Sequence, residues 1–207
     1  MAIYEPISKV NLERITNGIF AFTMTLLARN ILMPDAGSIT DILTFNKYFI
    51  ATASSVIDFV GIFVLLAMFW MLFFQMFHRM RVFDYHFLHV HMLALMAIVL
   101  LPFSSAFTGL SQNFPFADLF FQLNYCVLGV TLAYLWHYAR SKPDLLDPGL
   151  TDSDAIFLAR KCFVPPAVAV LGIFMVLAGT RYLDLLYFLP FIIIALFFRN
   201  PPEESAC

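Results

Sequence analysis

The longest apolar segment of this chain, Tyr48–Phe77, runs for thirty residues with a single charged side chain, Asp58. The hydrocarbon core of a membrane is about 30 Å thick and needs roughly 20 predominantly apolar helical residues, so this segment exceeds one crossing. Similar runs fill most of the sequence, which is 61% hydrophobic and 13% charged. Too few polar residues remain to cover a water-soluble domain. The sequence therefore predicts an all-α integral membrane protein.

Polar or proline-bearing breaks divide the apolar runs into six predicted transmembrane helices. Their approximate ranges are 13–33, 45–77, 84–108, 115–140, 155–180 and 182–199, followed by a tail over 200–207, all in one domain. Proline is expected to end or bend a helix. We therefore expect Pro34 to stop the first helix, Pro165 and Pro166 to break the start of the fifth, and Pro190 to bend the sixth. The first run is too long for a cleavable signal peptide and should stay in the mature protein.

An even number of spans places both termini on one side of the membrane. The twelve Lys and Arg residues then divide into nine on the side of the termini and three on the other. The nine are Lys9, Arg14, Arg79, Arg81, Arg140, Lys142, Arg160, Lys161 and Arg199, and the three are Arg29, Lys47 and Arg181. Because positive charge accumulates on the inner side, both termini are predicted to be cytoplasmic.

The first helix, within the segment Asn11–Pro34, carries polar side chains along an otherwise apolar run. They are Thr16, Asn17, Thr23, Thr25, Arg29 and Asn30. Polar groups are costly in hydrocarbon, so such a helix generally faces protein, a cavity or a pore. Its small and hydroxylated positions also favour close helix packing. The pattern predicts an inner helix.

The segment Asn11–Leu27, NLERITNGIFAFTMTLL, resembles the first-helix signature of the prokaryotic relatives of transmembrane protein 175, the endolysosomal potassium channel. That signature reads Arg-x-x-x-Phe-Ser-Asp, a small residue, and an apolar run that ends in Met-Thr-Leu-Leu. The run from Gly18 onward fits it. The positions of Arg, Phe, Ser and Asp are held here by Asn11, Ile15, Thr16 and Asn17.

Two later segments are also similar to this family. Trp70, Phe77 and Arg79 match the end of its second helix, and Leu100–Ala106 is close to its Leu-Pro-Phe-x-x-Ala segment, with Asp84 ahead of it. The resemblance implies a homotetramer in the plasma membrane of a prokaryote, with four first helices lining one pore. It also implies a leak-like cation channel that prefers potassium ions.

Aligning helical periodicity with the apolar constriction of that family selects one face of the first helix. Its residues are Ile15, Ile19, Phe22, Thr25, Leu26 and Arg29. Phe22 is the candidate gate, with Leu26 and Ile19 beside it, and Thr25 is the candidate selectivity residue. Such a pore would select through hydroxyl groups and gate by dewetting of a narrow apolar neck.

Arg29 lies seven residues after Phe22 and so belongs to the same helix face, nearer the outside. In a homotetramer, four guanidinium groups at the outer mouth would oppose cation entry. The alternatives are that Arg29 extends toward the lipid headgroups or pairs with Asp35 or Asp41.

Asp58 supports a second function class, a carboxylate-dependent secondary transporter. A carboxylate inside a membrane helix is by default a functional candidate. Pairing with Lys47 or Ser54 is the structural alternative.

A third function class is a membrane enzyme with a site at Asp84, His86 and His89. Helical spacing weakens a metal site there, because His91 points away from the face that His86 and His89 share. The sequence has no phosphate-binding loop, serine-hydrolase elbow or zinc-protease motif. We therefore expect neither an enzyme nor a cofactor or metal site.

Cys126, Cys162 and Cys207 form no C-x-x-C pair and are odd in number, which predicts free thiols. The basic residues form no continuous stripe, so no nucleic-acid partner is expected.

Overall fold

The computed structural model describes residues 8–31, 37, 39–108, 115–179 and 184–198. Over these ranges the regular structure is helical, with one isolated β-bridge between Met80 and Leu146. The α-helices are α1 Lys9–Leu26, α2 Ile42–His78, α3 Tyr85–Thr108, α4 Pro115–Arg140, α5 Asp152–Leu177 and α6 Leu189–Phe197. Short 3₁₀ helices cover Leu27–Asn30, Pro143–Leu145 and Asp184–Tyr187.

Side-chain caps fix the starts of three helices. Asp41, Asp84 and Thr151 each accept a hydrogen bond from the backbone N–H three residues later, at 2.9, 2.8 and 3.2 Å. Such caps satisfy backbone donors that the first helical turn leaves unpaired. The cap at Thr151 explains why α5 begins at Asp152, three residues before the predicted start.

The predictions for the later prolines were wrong. Pro165 and Pro166 lie inside α5 instead of breaking its start. Pro166 packs against Gly129 of α4, where an added Cβ would lie 2.8 Å from the Pro166 nitrogen. Pro190 lies in the first turn of α6, where a missing N–H costs nothing, so it begins that helix instead of bending it.

Four of the described helices, α2 to α5, are long and apolar enough to cross a membrane. The predicted helix over 182–199 is reduced to α6, whose nine residues reach about 14 Å, less than the hydrocarbon thickness. The first α-helix ends at Leu26 and continues as a 3₁₀ turn to Asn30. Membrane crossing by α1 and α6 stays a prediction. Pro34, Arg199, Cys207 and the tail over 200–207 lie outside the described residues.

Helix α4 is at the centre of the packing, with α3 along one side and α5 along the other. Helix α1 lies against α2 and α3. The core is rich in aromatic rings, among them Phe69 and Tyr125, which meet edge to face at 5.8 Å. This arrangement leaves α1 at one side of the chain, with one face buried and the other exposed.

Candidate functional site

The middle of α1 is fixed by a buried hydrogen bond to α3. Thr16 is 2% exposed, and its Oγ1 lies 2.8 Å from Nε2 of His91. The Thr16 hydroxyl donates to the Leu12 carbonyl oxygen at 2.7 Å, so its single proton is already used. His91 must therefore donate its Nε2–H to Thr16 Oγ1. Nδ1 of the same ring has no hydrogen-bond partner among the described residues.

Three phenylalanine rings surround His91. Its ring centroid is 5.2 Å from that of Phe73, 5.3 Å from Phe77 and 6.2 Å from Phe87. The His91 side chain is fully buried. In such apolar surroundings a polar group without a partner is expensive, so the bond to Thr16 determines how α1 can rotate against α3.

Two further hydrogen bonds attach the first half of α1 to the second helix and the turn that follows it. The Trp70 indole N–H donates to Oδ1 of Asn17 at 2.9 Å. Nζ of Lys9 donates to the carbonyl oxygen of Met80 at 2.9 Å. Both bonds are made by side chains near the edge of the buried face of α1.

The far end of α1 is attached to α3 through Asn30. Its Nδ2 donates to the Pro102 carbonyl oxygen at 2.8 Å and to Ser105 Oγ at 3.1 Å. Pro102 stands inside α3, and the Ser105 hydroxyl also donates to the Pro102 carbonyl oxygen. Helix α1 is therefore held by polar contacts from its first turn to its last residues.

The opposite face of α1 is exposed. One row of exposed residues recurs at intervals of four and three along α1 and the 3₁₀ turn after it: Asn11, Ile15, Gly18, Phe22, Thr25 and Arg29. We call the residues of this row the exposed stripe. The residues exposed beside this row are Val10, Arg14, Asn17, Ala21 and Ala28. Ile15 is 47% and Phe22 59% exposed. Ile19 and Leu26 are half-buried and so lie at the border of the stripe.

Thr25 and Thr23 lie on opposite sides of α1. The Thr25 hydroxyl, on the exposed stripe, donates to the Phe22 carbonyl oxygen at 2.7 Å. The hydroxyl proton of Thr25 is therefore used in this bond, and the lone pairs of its oxygen can still accept a hydrogen bond or contact a cation. Thr23 is fully buried, and its Oγ1 has no partner among the described residues.

The four residues of the first-helix signature divide between these two faces. Thr16 and Asn17 form the hydrogen bonds that hold α1, whereas Asn11 and Ile15 belong to the exposed stripe. Their partners His91 and Trp70 were not predicted. The resemblance had marked Trp70 as a matching position, but nothing in the sequence paired it with Asn17.

Arg29 is exposed in the 3₁₀ turn that follows α1. Asp41 caps α2, and within the described residues no ion pair joins it to Arg29. Asp35, the other predicted partner, lies outside the described residues. Asp58 is half-buried in α2.

The histidines of α3 do not converge. His86 Nε2 lies 2.9 Å from the Tyr134 hydroxyl, and His89 Nδ1 lies 2.6 Å from the Tyr85 carbonyl oxygen of its own helix. His91 faces α1. The part of the chain that the structure describes contains no group of three potential metal ligands among His, Cys, Asp and Glu.

Asp84 ties the start of α3 to the end of α4. Besides capping α3, its carboxylate accepts hydrogen bonds from the Tyr138 hydroxyl and from Nζ of Lys142, the latter at 3.0 Å. Burial raises the pKa of Asp84, but the hydrogen bonds from Tyr138, Phe87 and Lys142 outweigh it and hold the pKa below its ordinary value. This cluster is structural, and it uses the carboxylate that the enzyme hypothesis required.

These features define a polytopic helical membrane protein whose first helix is held from one side and exposed on the other. Residues 11–102 match the family model described as endosomal/lysosomal potassium channel TMEM175. This match covers α1, α2 and most of α3, and it agrees with the resemblance seen in the sequence.

Six chains of solved structures match the fold. One is the crystal structure of a lysosomal potassium-selective channel TMEM175 homolog from Chamaesiphon minutus, with a TM-score of 0.77 and 17% sequence identity. The alignment covers 93% of this chain and 98% of that chain. No curated protein sequence matches the chain. The matched family and the matched structure are ion channels and not enzymes.

Replacing Thr16 with Val should destabilise the protein by about 1–3 kcal/mol, because it leaves the buried Nε2–H of His91 without an acceptor. Thr23→Val is the matched control, since it removes a hydroxyl that the described residues leave unpaired and should change stability little. Thermal unfolding of the detergent-solubilised protein measures both. Equal melting temperatures for the two variants would contradict the role assigned to the Thr16–His91 bond.

Proposed function

We propose that this chain is the subunit of a potassium-preferring, leak-like cation channel, assembled as a homotetramer around the exposed stripe of α1. The supporting observation is the composition of that stripe. It joins Asn11, Thr25 and Arg29 with apolar side chains, and a polar face of this kind is unfavourable against lipid. Partner subunits and a water-filled path would satisfy it.

One copy of α1 cannot enclose a pore, so the channel proposal requires an oligomer. Rotational symmetry would bring the same stripe of every subunit to a common axis. The resemblance of the sequence to the TMEM175 family implies four such subunits, and a potassium-selective channel homolog has the same fold. The sequence places both termini on the cytoplasmic side of a prokaryotic plasma membrane, which completes the proposed topology.

Phe22 is the proposed constriction. It is the largest side chain of the exposed stripe and is 59% exposed, and the half-buried Ile19 and Leu26 flank it. Four such rings would form an apolar neck that closes by losing its water. Thr25, one turn further along, would present hydroxyl oxygens to a partly dehydrated potassium ion, because its proton is directed to the backbone.

The two alternative functions are less well supported than the channel. A membrane enzyme at Asp84, His86 and His89 is disfavoured by the structural bonds that these side chains form. The family model that matches residues 11–102 describes a potassium channel, which favours a channel over a transporter at Asp58.

The direct test of the function is ion flux in liposomes that contain the purified protein. We expect potassium flux down its gradient without a coupled ion, and a smaller flux of sodium under the same conditions. Flux that depends on a second ion gradient and vanishes in Asp58→Asn would support the transporter instead.

Replacing Phe22 with Ala should raise basal potassium flux severalfold, since a smaller side chain widens the apolar neck and admits water. Phe163→Ala is the control, because Phe163 is 67% exposed on α5 and far along the chain from the stripe. Flux is measured in liposomes at equal protein density. If Phe22→Ala assembles normally and conducts like the native protein, Phe22 is not the constriction.

Replacing Thr25 with Val should lower the preference for potassium over sodium, because the substitution keeps the shape of the side chain and removes the hydroxyl. Thr25→Ser restores a hydroxyl and should retain the native preference. The reversal potential under mixed ions measures both. An unchanged reversal potential in Thr25→Val would mean that Thr25 has only a packing role.

Replacing Arg29 with Leu should increase potassium current, because it removes a ring of positive charge from the outer mouth. The increase should grow as salt is lowered, since screening then weakens. Arg29→Lys keeps the charge and should behave like the native protein. Equal currents in the Leu variant at all salt concentrations would show that Arg29 lies away from the permeation path.

A further inference from the structure

An apolar groove of about 490 Å³ separates α2 from α6. Its lining residues are Met68, Met71, Leu72, Gln75, Phe191, Ile194, Ala195 and Phe198. From Met68 to Gln75 it follows α2 for roughly 10 Å. All of these side chains except Gln75 are apolar, so the groove suits a flexible hydrocarbon chain better than a polar ligand.

The polar end of this groove lies at Gln75, three residues before the end of α2. Nζ of Lys161, from α5, lies 3.4 Å from Gln75 Oε1, and Nη1 of Arg79 donates to the Gln75 carbonyl oxygen at 3.0 Å. Two cations, one on α5 and one directly after α2, therefore contact the polar residue that lines this end of the groove.

Aromatic rings hold Lys161 in this position. Its Nζ lies 4.6 Å from the centroid of the Phe157 ring, and that ring is 5.6 Å from Phe198 of the groove. Within the described residues no carboxylate lies within 4.0 Å of Lys161 or Arg79. Both cations contact Gln75, and the part of the chain that the structure describes supplies no anion to either of them. Ammonium and guanidinium groups are strong partners for phosphate.

We propose that this groove binds one acyl chain of an anionic phospholipid, whose phosphate is held by Lys161 and Arg79. Charge complementarity and the amphipathic layout support this ligand: an apolar groove between α2 and α6 ends at two cations that have no carboxylate partner among the described residues. Basic side chains at this depth reach toward headgroups, and each contributes to binding of anionic lipid. The proposal does not depend on the channel function.

The test is titration of the purified protein with dioleoyl phosphatidylglycerol or dioleoyl phosphatidylcholine, with bound lipid counted by native mass spectrometry. The native protein should bind phosphatidylglycerol about tenfold more tightly than phosphatidylcholine. The double variant Arg79→Gln, Lys161→Gln should lose about this factor, because it removes two charge-assisted contacts. The double variant Arg140→Gln, Arg160→Gln has the same change in charge at exposed positions and should bind as the native protein does.

A second pair of variants tests the groove without changing charge. Ala195→Trp fills the groove and should reduce binding of both lipids, whereas Leu196→Trp alters a 71% exposed neighbour outside the lining and should not. Equal affinity for the two lipids in the native protein would overturn the proposal. The proposal would also be overturned if the Arg79, Lys161 double variant bound phosphatidylglycerol as tightly as the native protein does. A disulfide between Ala195→Cys and another subunit would overturn it as well, because it would show that a second chain fills the groove.

Discussion

The buried hydrogen bond between Thr16 and His91 is the contact on which the account of this protein depends. A polar side chain that is buried in a membrane helix bundle cannot form hydrogen bonds with water, so its hydrogen-bond partner must come from the protein. His91 lies among three phenylalanine rings, and Thr16 supplies its acceptor. Rotating α1 by one residue, about 100°, would leave the buried Nε2–H of His91 without its acceptor, while Thr16 would keep only its bond to Leu12 within α1. The bond therefore fixes which face of α1 points away from the chain.

The contacts at Lys9, Asn17 and Asn30 extend this constraint along the helix, because each joins α1 to another part of the chain at a different height. Once the buried side is settled, the exposed stripe follows from helix geometry alone. Its mixture of amide, hydroxyl, guanidinium and large apolar groups is unsuited to lipid. A central aqueous path shared with other subunits would hydrate these polar groups and keep them away from lipid. For this reason the structure of a single chain supports the proposal of a channel.

The sequence predicted the long helices well because length and apolar content decide membrane crossing. The ranges of α2, α3 and α4 differ from the predictions by no more than three residues at either end, since Asp41 and Asp84 cap at the apolar boundary. The sixth helix was predicted too long, because hydropathy does not distinguish the 3₁₀ turn at Asp184–Tyr187 from a helix. Likewise, Gly129 lets α4 approach Pro166 inside α5 closely, and no local sequence pattern contains this pairing.

The candidate site also shows that a single sequence does not reveal contacts between residues that are far apart in the chain. Periodicity and resemblance grouped Phe22 and Thr25 on one face, because positions on one helix are related by a fixed rotation, and both side chains are exposed in the structure. That this face lines a pore stays a prediction. Periodicity and resemblance were not enough to find His91 or Trp70, which are 75 and 53 residues away from their partners in the chain. Such contacts depend on how helices pack, and a single sequence records that only where a resemblance happens to mark the position.

Cysteine accessibility during ion flux tests the central claim, that the exposed stripe faces the ion pathway, most directly. In a background without Cys126, Cys162 and Cys207, a single cysteine is placed at Thr25 on the stripe or at the buried Thr23 two residues before it. A membrane-impermeant cationic thiol reagent is then added to protein conducting potassium in a bilayer. The account predicts that Thr25→Cys is modified and its potassium current falls, while the current of Thr23→Cys is unaffected. Full modification of Thr25→Cys with an unchanged current would contradict it.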